Sequence, residues 1–460
     1  MKQRLEQYFN SVVLWVFVGT VLITPIPFGS VRLWSYTLLA LIISLILIAW
    51  TLRYLISDDE IPVPYRKLWF LFIPFLLAML WIVVQIGNWS PQSWHNSIWT
   101  DATQVLGEDI PGSISVAPDN SLIGLMRYLT YAGIFFLAVQ FGHSRRNARR
   151  ILIAISLTGG LYAIYGLAVH FSGTNSILWY PKKYYLNSLT STFVYKNAFA
   201  TYAGICLICI TGLLLQSCKD ILNQSLGPRE TLLRYISALL NKGWILIGIL
   251  FSTSAALFMS GSRMGIVASV IAMLVLFLVS RLTHGKSIPY FGLVTAFFTV
   301  IILTIALSSG KIAFDRLSTL ESDNNLRQTI YDQTIEAIKE SPLRGTGAST
   351  FSVVFPKWRV STIPNPVLRA HSSYLENMLE LGIPAFSLIL VTMAGIAVGC
   401  YRGIKTRQDN VLFPCIGLSV LTLTGVHAIF DFTLQVPAVT ATLMLVVGVA
   451  YAQSWSSREK

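Results

Sequence analysis

Apolar runs of about 20 residues, the length an α-helix needs to cross the hydrocarbon core of a bilayer, recur along this chain. In lipid a backbone must satisfy its own polar groups, so such runs commit to helix. The composition agrees: 54% of the 460 residues are hydrophobic and 12% charged, against about 25% charged in average soluble domains. A mean hydropathy of +0.62 at this length does not come from one large soluble core. A soluble enzyme, a nucleic-acid-binding domain and a secreted disulfide scaffold are therefore excluded as descriptions of the whole chain. An outer-membrane barrel would show short alternating segments instead. The expected fold class is an all-α polytopic membrane protein.

Twelve spans are expected, at about 11–29, 33–56, 68–88, 121–142, 150–172, 195–216, 243–260, 263–281, 289–308, 382–401, 410–429 and 433–452. The stretch 243–281 could read as one helix, but Ser260, Gly261, Ser262 and Arg263 predict a tight hairpin in its middle. The chain then divides into a bundle of nine spans (1–308), a long loop (309–381) and a bundle of three spans (382–460). With the N-terminus in the cytoplasm, 20 of the 34 Lys and Arg fall on cytoplasmic segments, four of them in His143–Arg150. Loop 89–120 on the other side has none. Eight of the remaining basic residues sit in the long loop, and long loops count little in the positive-inside rule. Both termini are thus expected in the cytoplasm, with an uncleaved first span. The net charge of +13 reads as topology and attraction to anionic lipid rather than nucleic-acid binding. The five cysteines lie in spans or at cytoplasmic ends and predict neither a disulfide framework nor a metal site.

The long loop is the one soluble segment large enough for a structured unit. Asn324–Ser341 predicts an amphipathic helix with Leu326, Ile330, Ile335 and Ile338 on one face and Ser322 or Asp323 as N-cap. Pro342, Gly345 and Gly347 end it. From Pro342 to His371 the charged residues are Arg344, Lys357, Arg359 and Arg369, all basic. Such a stretch suits a phosphate or diphosphate, or simply anionic headgroups. The segment GTGAST lacks the Lys-Ser/Thr of a nucleotide loop. His371, in AHSSYLENMLELGIP, can serve as a general base near neutral pH or be structural. Ionisable groups at the same membrane face include Arg263, Lys196 beside Asn197, and His427 with Asp431. Arg127 lies about two turns inside the fourth span and reads as half of a buried ion pair. Trp89, Trp94, Trp99, Tyr180, Tyr184 and Tyr185 suit sugar rings but read first as an interfacial belt.

Four segments resemble the O-antigen ligase and polymerase superfamily of bacterial membrane glycosyltransferases, across roughly residues 120–450. They are STFVYKNAFATYAG, the SGSRMG hairpin, LRQTIYDQTIEAIKESPLRGTGASTF leading to AHSSYLENMLELGIP, and HAIFDFTLQVPA. Their order and spacing carry the likeness. The resemblance implies a GT-C type fold of about 12 transmembrane helices, with the partly helical long loop periplasmic, between spans nine and ten, in the bacterial inner membrane. It implies a glycan donor on undecaprenyl diphosphate, an inverting transfer to a hydroxyl, and no metal, nucleotide or other cofactor. The acceptor would be lipid A–core for a ligase, or a second lipid-linked glycan for a polymerase. By motif, Arg263 and Arg327 would grip the donor diphosphate and His371 would take the acceptor's proton. Lys196, Arg344 and Arg369 would assist at the diphosphate, with Asn197, Tyr374, His427 and Asp431 as second-tier candidates. Tyr195 stands where the family often has Asn, and Ala198 where a His is frequent, differences that bear on sugar specificity. A glycolipid transporter or flippase is the competing class, although no internal repeat supports it. A membrane scaffold would leave the basic loop ending at His371 unexplained.

Overall fold

The computed structural model describes residues 2–57, 60–222, 229–230, 233, 244–284, 310–363, 365–407 and 411–455. The first six helices are α1 (Lys2–Ile23), α2 (Leu33–Ser57), α3 (Trp69–Ile86), the short α4 (Ser97–Leu106), α5 (Pro118–Gly142) and α6 (Arg145–Phe171). There follow α7 (Lys196–Leu222), α8 (Trp244–Met259), α9 (Arg263–His284), α10 (Gly310–Glu340), α11 (Ser373–Thr406), α12 (Leu412–Phe430) and α13 (Pro437–Ala452). The one sheet among the described residues is a two-residue hairpin, Ser176–Ile177 with Tyr180–Pro181. Eight helices are long and apolar enough to cross a membrane, and Tyr8–Ile23, Trp244–Met259 and Pro437–Ala452 are shorter apolar helices. The fold is thus the all-α polytopic membrane type. The expected ninth span, 289–308, lies outside the described residues. The predicted break at Ser260–Arg263 is a turn between α8 and α9, with Gly261 at φ 64°.

Burial separates the centre of the bundle from its periphery. All sixteen residues of α13 are buried, as is 89% of the apolar stretch of α7, against 28% for α2. Helices α5 and α13 meet through small residues. A Cβ on Gly448 would lie 2.6 Å from Ala138 Cβ and 2.8 Å from the Phe135 carbonyl oxygen. Without a hydrophobic drive between helices in lipid, such close backbone approach supplies the packing energy. Gly448→Leu is therefore expected to lower the thermal unfolding midpoint in detergent, by an overpacking cost of about 1–3 kcal/mol. Gly19, with nothing within 4 Å of its Cβ position, should accept leucine with little change.

The amphipathic stretch is one continuous helix from Gly310, fourteen residues earlier than expected, so neither Ser322 nor Asp323 is its N-cap. The buried stripe also differs. It runs through Leu326, Ile330, Thr334, Ala337 and Ile338, spaced for one helix face, while Ile335 is 39% exposed. This face packs on a small second core with the stacked rings of Phe351 and Phe355, 5.0 Å apart.

Two glycines clamp the loop after α10 onto α11. Gly382 (φ 77°) breaks α11, and a Cβ there would meet the Leu343 carbonyl oxygen at 2.4 Å. Gly345 (φ 69°) answers it, its Cβ position 2.4 Å from the Glu380 carbonyl oxygen. Only glycine permits this backbone-on-backbone crossing. The glycines of GTGAST thus serve close packing. Glu380 adds to the clamp, its carboxyl group accepting the backbone N–H groups of Ser349 (2.7 Å) and Phe351 (3.0 Å).

Candidate active site

The site forms at the bundle end where α7, α9, α11 and α13 begin and α12 stops. Asp431, directly after α12, is its hub and is 2% exposed. Its Oδ1 accepts the Phe432 N–H at 2.8 Å, and its Oδ2 accepts the Asn197 amide and lies 4.0 Å from Arg327 Nη2. Its carbonyl accepts both the N–H and the hydroxyl of Ser373, at 3.2 and 3.1 Å. One residue thus ties α7, α10, α11 and α12 together. Burial raises the Asp431 carboxyl to about 6, against the opposing pull of Arg327 and of the hydrogen bonds from Asn197 and Phe432.

His371 sits two residues before α11. Ser372 caps that helix through Leu375 N–H, and Ser373 donates to Gln435 Oε1 at 2.7 Å, so the approach to the helix is pinned. His371 takes a left-handed backbone, φ 55°, uncommon for a residue with a Cβ. Tyr331 holds it there by donating its hydroxyl to the His371 carbonyl at 2.7 Å. The imidazole lies against Phe432, ring centroids 5.3 Å apart, with Nδ1 buried and lacking a hydrogen-bond partner. Burial, and then the positive charge of Arg327, lower its pKa to about 4. The ring is therefore neutral across the physiological range and able to accept a proton.

Arg327 also donates to the Phe430 carbonyl at 3.4 Å, and its side chain remains 37% exposed. Lys196 donates to the Gly261 carbonyl at 3.4 Å, which places the start of α7 on the SGSR hairpin. Arg263 opens α9 with an exposed side chain. Two residues on, the Cβ position of Gly265 is 3.2 Å from His427 Cε1. His427 lies one turn deeper than Asp431, its Nδ1 bonded to the Thr201 hydroxyl at 2.7 Å.

Other expected participants are engaged elsewhere. Arg344 donates to the Ser93 carbonyl at 2.9 Å, and the Tyr374 hydroxyl to the Gly425 carbonyl at 3.1 Å. The basic stretch is not without compensation, as its sequence suggested. Lys357 pairs with Glu340 at 2.9 Å and Arg369 with Glu376 at 2.7 Å, because neighbouring helices bring in acids from outside the stretch. The ion pair expected for Arg127 is also replaced: its Nη2 donates to the Gln435 carbonyl and its guanidinium lies 5.6 Å from the Tyr36 ring centroid. Sequence reasoning missed Tyr331, although it stands one turn after Arg327 on the same helix face. It also missed Thr201, Glu376 and Phe432. Among the described residues, His, Cys, Asp and Glu nowhere gather in groups of three or more that could hold a metal ion.

Residues 248–390 match the family model described as O-antigen ligase. The match covers 143 of the 460 residues and supports the resemblance to the O-antigen ligase and polymerase superfamily. The matched region contains the SGSR hairpin, all of α10, the loop to His371 and the start of α11. Asp431, Asn197 and Lys196 lie outside it and meet it in the fold. No curated protein matches the chain.

Proposed function

We propose that this chain is a ligase within its superfamily, transferring a glycan from undecaprenyl diphosphate to a hydroxyl of lipid A–core or a similar acceptor. The observation that carries the reading is His371, held neutral by partial burial and by the charge of Arg327, with its Nδ1 buried and unpartnered, in the region matching the O-antigen ligase family. The site would face the periplasm, with the bundle in the inner membrane and both termini cytoplasmic.

The donor diphosphate sits against Arg327 and Arg263. A ring nitrogen of His371 takes the proton of the acceptor hydroxyl, whose oxygen attacks the anomeric carbon from the face opposite the diphosphate. The bond between the anomeric carbon and the diphosphate oxygen breaks, undecaprenyl diphosphate leaves with the electron pair, and the anomeric configuration inverts. The arginines meet the charge that develops on the leaving oxygen. Arg327 also couples the steps. Its charge depresses the basicity of His371, and a diphosphate bound to it offsets that charge, so the imidazole becomes a stronger base once donor is in place. Asp431 and Asn197 position Arg327 from beneath, and Lys196 holds the hairpin that carries Arg263.

Purified protein in nanodiscs, given an undecaprenyl-diphosphate glycan and lipid A–core without added metal or nucleotide, is expected to shift the core on a gel. Glycan lengthening on the lipid carrier would establish polymerase activity instead. No consumption of donor with either acceptor would overturn the transferase reading and bring the transporter forward.

A further inference from the structure

A cavity of about 460 Å³ is lined in part by Phe351, Ser352, Leu368 and Arg369 of the loop that leads to His371. Arg32, Arg127 and Arg369 all line it, and no acidic side chain does. Phe432 belongs to its wall and also packs its ring against His371, so the cavity is one aromatic ring away from the proposed base. A second cavity, of about 170 Å³, shares Arg127, Ser349, Arg369 and Gln435 with the first. Its remaining walls are mainly hydrocarbon, with Phe72, Phe75, Ile389, Met393 and Met444 contributed by α3, α11 and α13. A basic polar chamber therefore adjoins an apolar slot between membrane helices, and Arg127 and Arg369 stand at the boundary.

The charges at this junction are unbalanced. Glu376 and Glu380 line the apolar slot, but their oxygens are already taken: Glu376 by Arg369 and the Ala370 N–H, Glu380 by the N–H groups of Ser349 and Phe351. Arg127 has a carbonyl and an aromatic face as partners, and its Nε is buried with no hydrogen-bond partner. Arg32 is exposed to the chamber's mouth and has the Phe28 ring beside it. A guanidinium within the membrane without a counter-charge is costly, and an anion supplied by a ligand removes that cost. Arginine forks match phosphate oxygens in geometry as well as charge.

We propose that the two cavities form one site for a phosphorylated amphiphile, its phosphate among Arg32, Arg127 and Arg369 and its hydrocarbon in the slot beside Met393. The site is separate from the donor diphosphate at Arg263 and Arg327, and its existence does not depend on the transfer reaction. An isoprenoid phosphate and a phosphorylated acyl lipid share the chemistry that these walls recognise.

Binding is tested directly on the full chain in detergent, by native mass spectrometry. Farnesyl phosphate and dihexanoyl phosphatidic acid are the probes, with farnesol and dihexanoylglycerol as their phosphate-free counterparts. At least one phosphorylated probe is expected to bind about tenfold or more tightly than its counterpart, a difference of about 1.4 kcal/mol. Arg127→Gln and Arg32→Gln should each remove most of that preference. Met393→Trp should block the slot and weaken binding with the arginines intact, whereas Lys339→Gln, exposed on α10, should bind as wild type does. Preference for farnesyl phosphate identifies the occupant as an isoprenoid, and preference for phosphatidic acid as an acyl lipid. Equal binding of phosphorylated and phosphate-free probes overturns the proposal. So does wild-type binding in Arg32→Gln, and a loss in that variant reports on the site because the exposed position of Arg32 makes misfolding no explanation. Because no glycan transfer is measured, a failure here leaves the proposed reaction standing, and a failed transfer assay leaves this site standing.

Discussion

His371→Ala is expected to lower kcat by about 100- to 10,000-fold, the range over which a positioned base contributes. Steady-state transfer from an undecaprenyl-diphosphate glycan measures it, with unchanged thermal unfolding showing that the fold is intact. A loss below about fivefold would remove His371 from the chemistry. The pH profile gives an independent reading. The neutral imidazole is the competent form, and a pKa lowered to about 4 keeps it neutral at pH 6, where an ordinary histidine at about 6.5 would be mostly protonated. Asp431, raised to about 6, gains a proton first as the pH falls and then loses its charge–charge hold on Arg327. Activity should thus begin to fall near pH 6, and in Asp431→Asn the fall should move down toward about 4. A limb still at 6 in that variant would assign it to another group.

Arg327→Gln is expected to cost about 100- to 1,000-fold, the usual loss when a donor aimed at developing negative charge is removed. The substitution has a second consequence that a purely structural arginine would not produce. Without the guanidinium's charge, the His371 pKa should rise from about 4, so adding Arg327→Gln to Asp431→Asn, where the His371 limb is exposed, should move that limb to higher pH. Arg327→Lys keeps a charge but not the planar fork, and should fall between the two. A double variant with an unmoved acid limb would break the coupling between Arg327 and His371.

The periodic part of this fold was legible in the sequence, because lipid leaves a backbone few options. Eleven of the twelve expected spans fall on helices, and the hairpin at Gly261 was readable from two small residues and an arginine in an apolar stretch. The loop was read less well. Ser322 and Asp323 resemble caps, but the helix runs through them from Gly310. Ile335 looked like a core position, but packing against Phe351 and Phe355 rotates the buried stripe onto Thr334 and Ala337. The basic stretch appeared uncompensated because Glu340 and Glu376 flank it on either side and return only through the fold. Asp431 was visible as a costly charge at a membrane face, whereas its reach to α7, α10 and α11 was not. The arginine chamber was the least legible feature, since Arg32, Arg127 and Arg369 come from three distant segments.

The enclosure of α13 bears on how the protein is made. Its sixteen residues span about 24 Å, short of a hydrocarbon core of about 30 Å, yet the mismatch is hidden because no face of the helix meets lipid. Every helix packed around α13 precedes it in the chain, and synthesis runs from the N-terminus. Helices α5, α7 and α12 are therefore inserted while the slot between them lacks its filling. The glycine-lined wall at Gly142 and Ala138 faces lipid or a chaperone until α13 arrives. Membrane integration and completion of the tertiary structure are then separate events, and quality control has a defined interval between them in which to recognise an unfinished molecule.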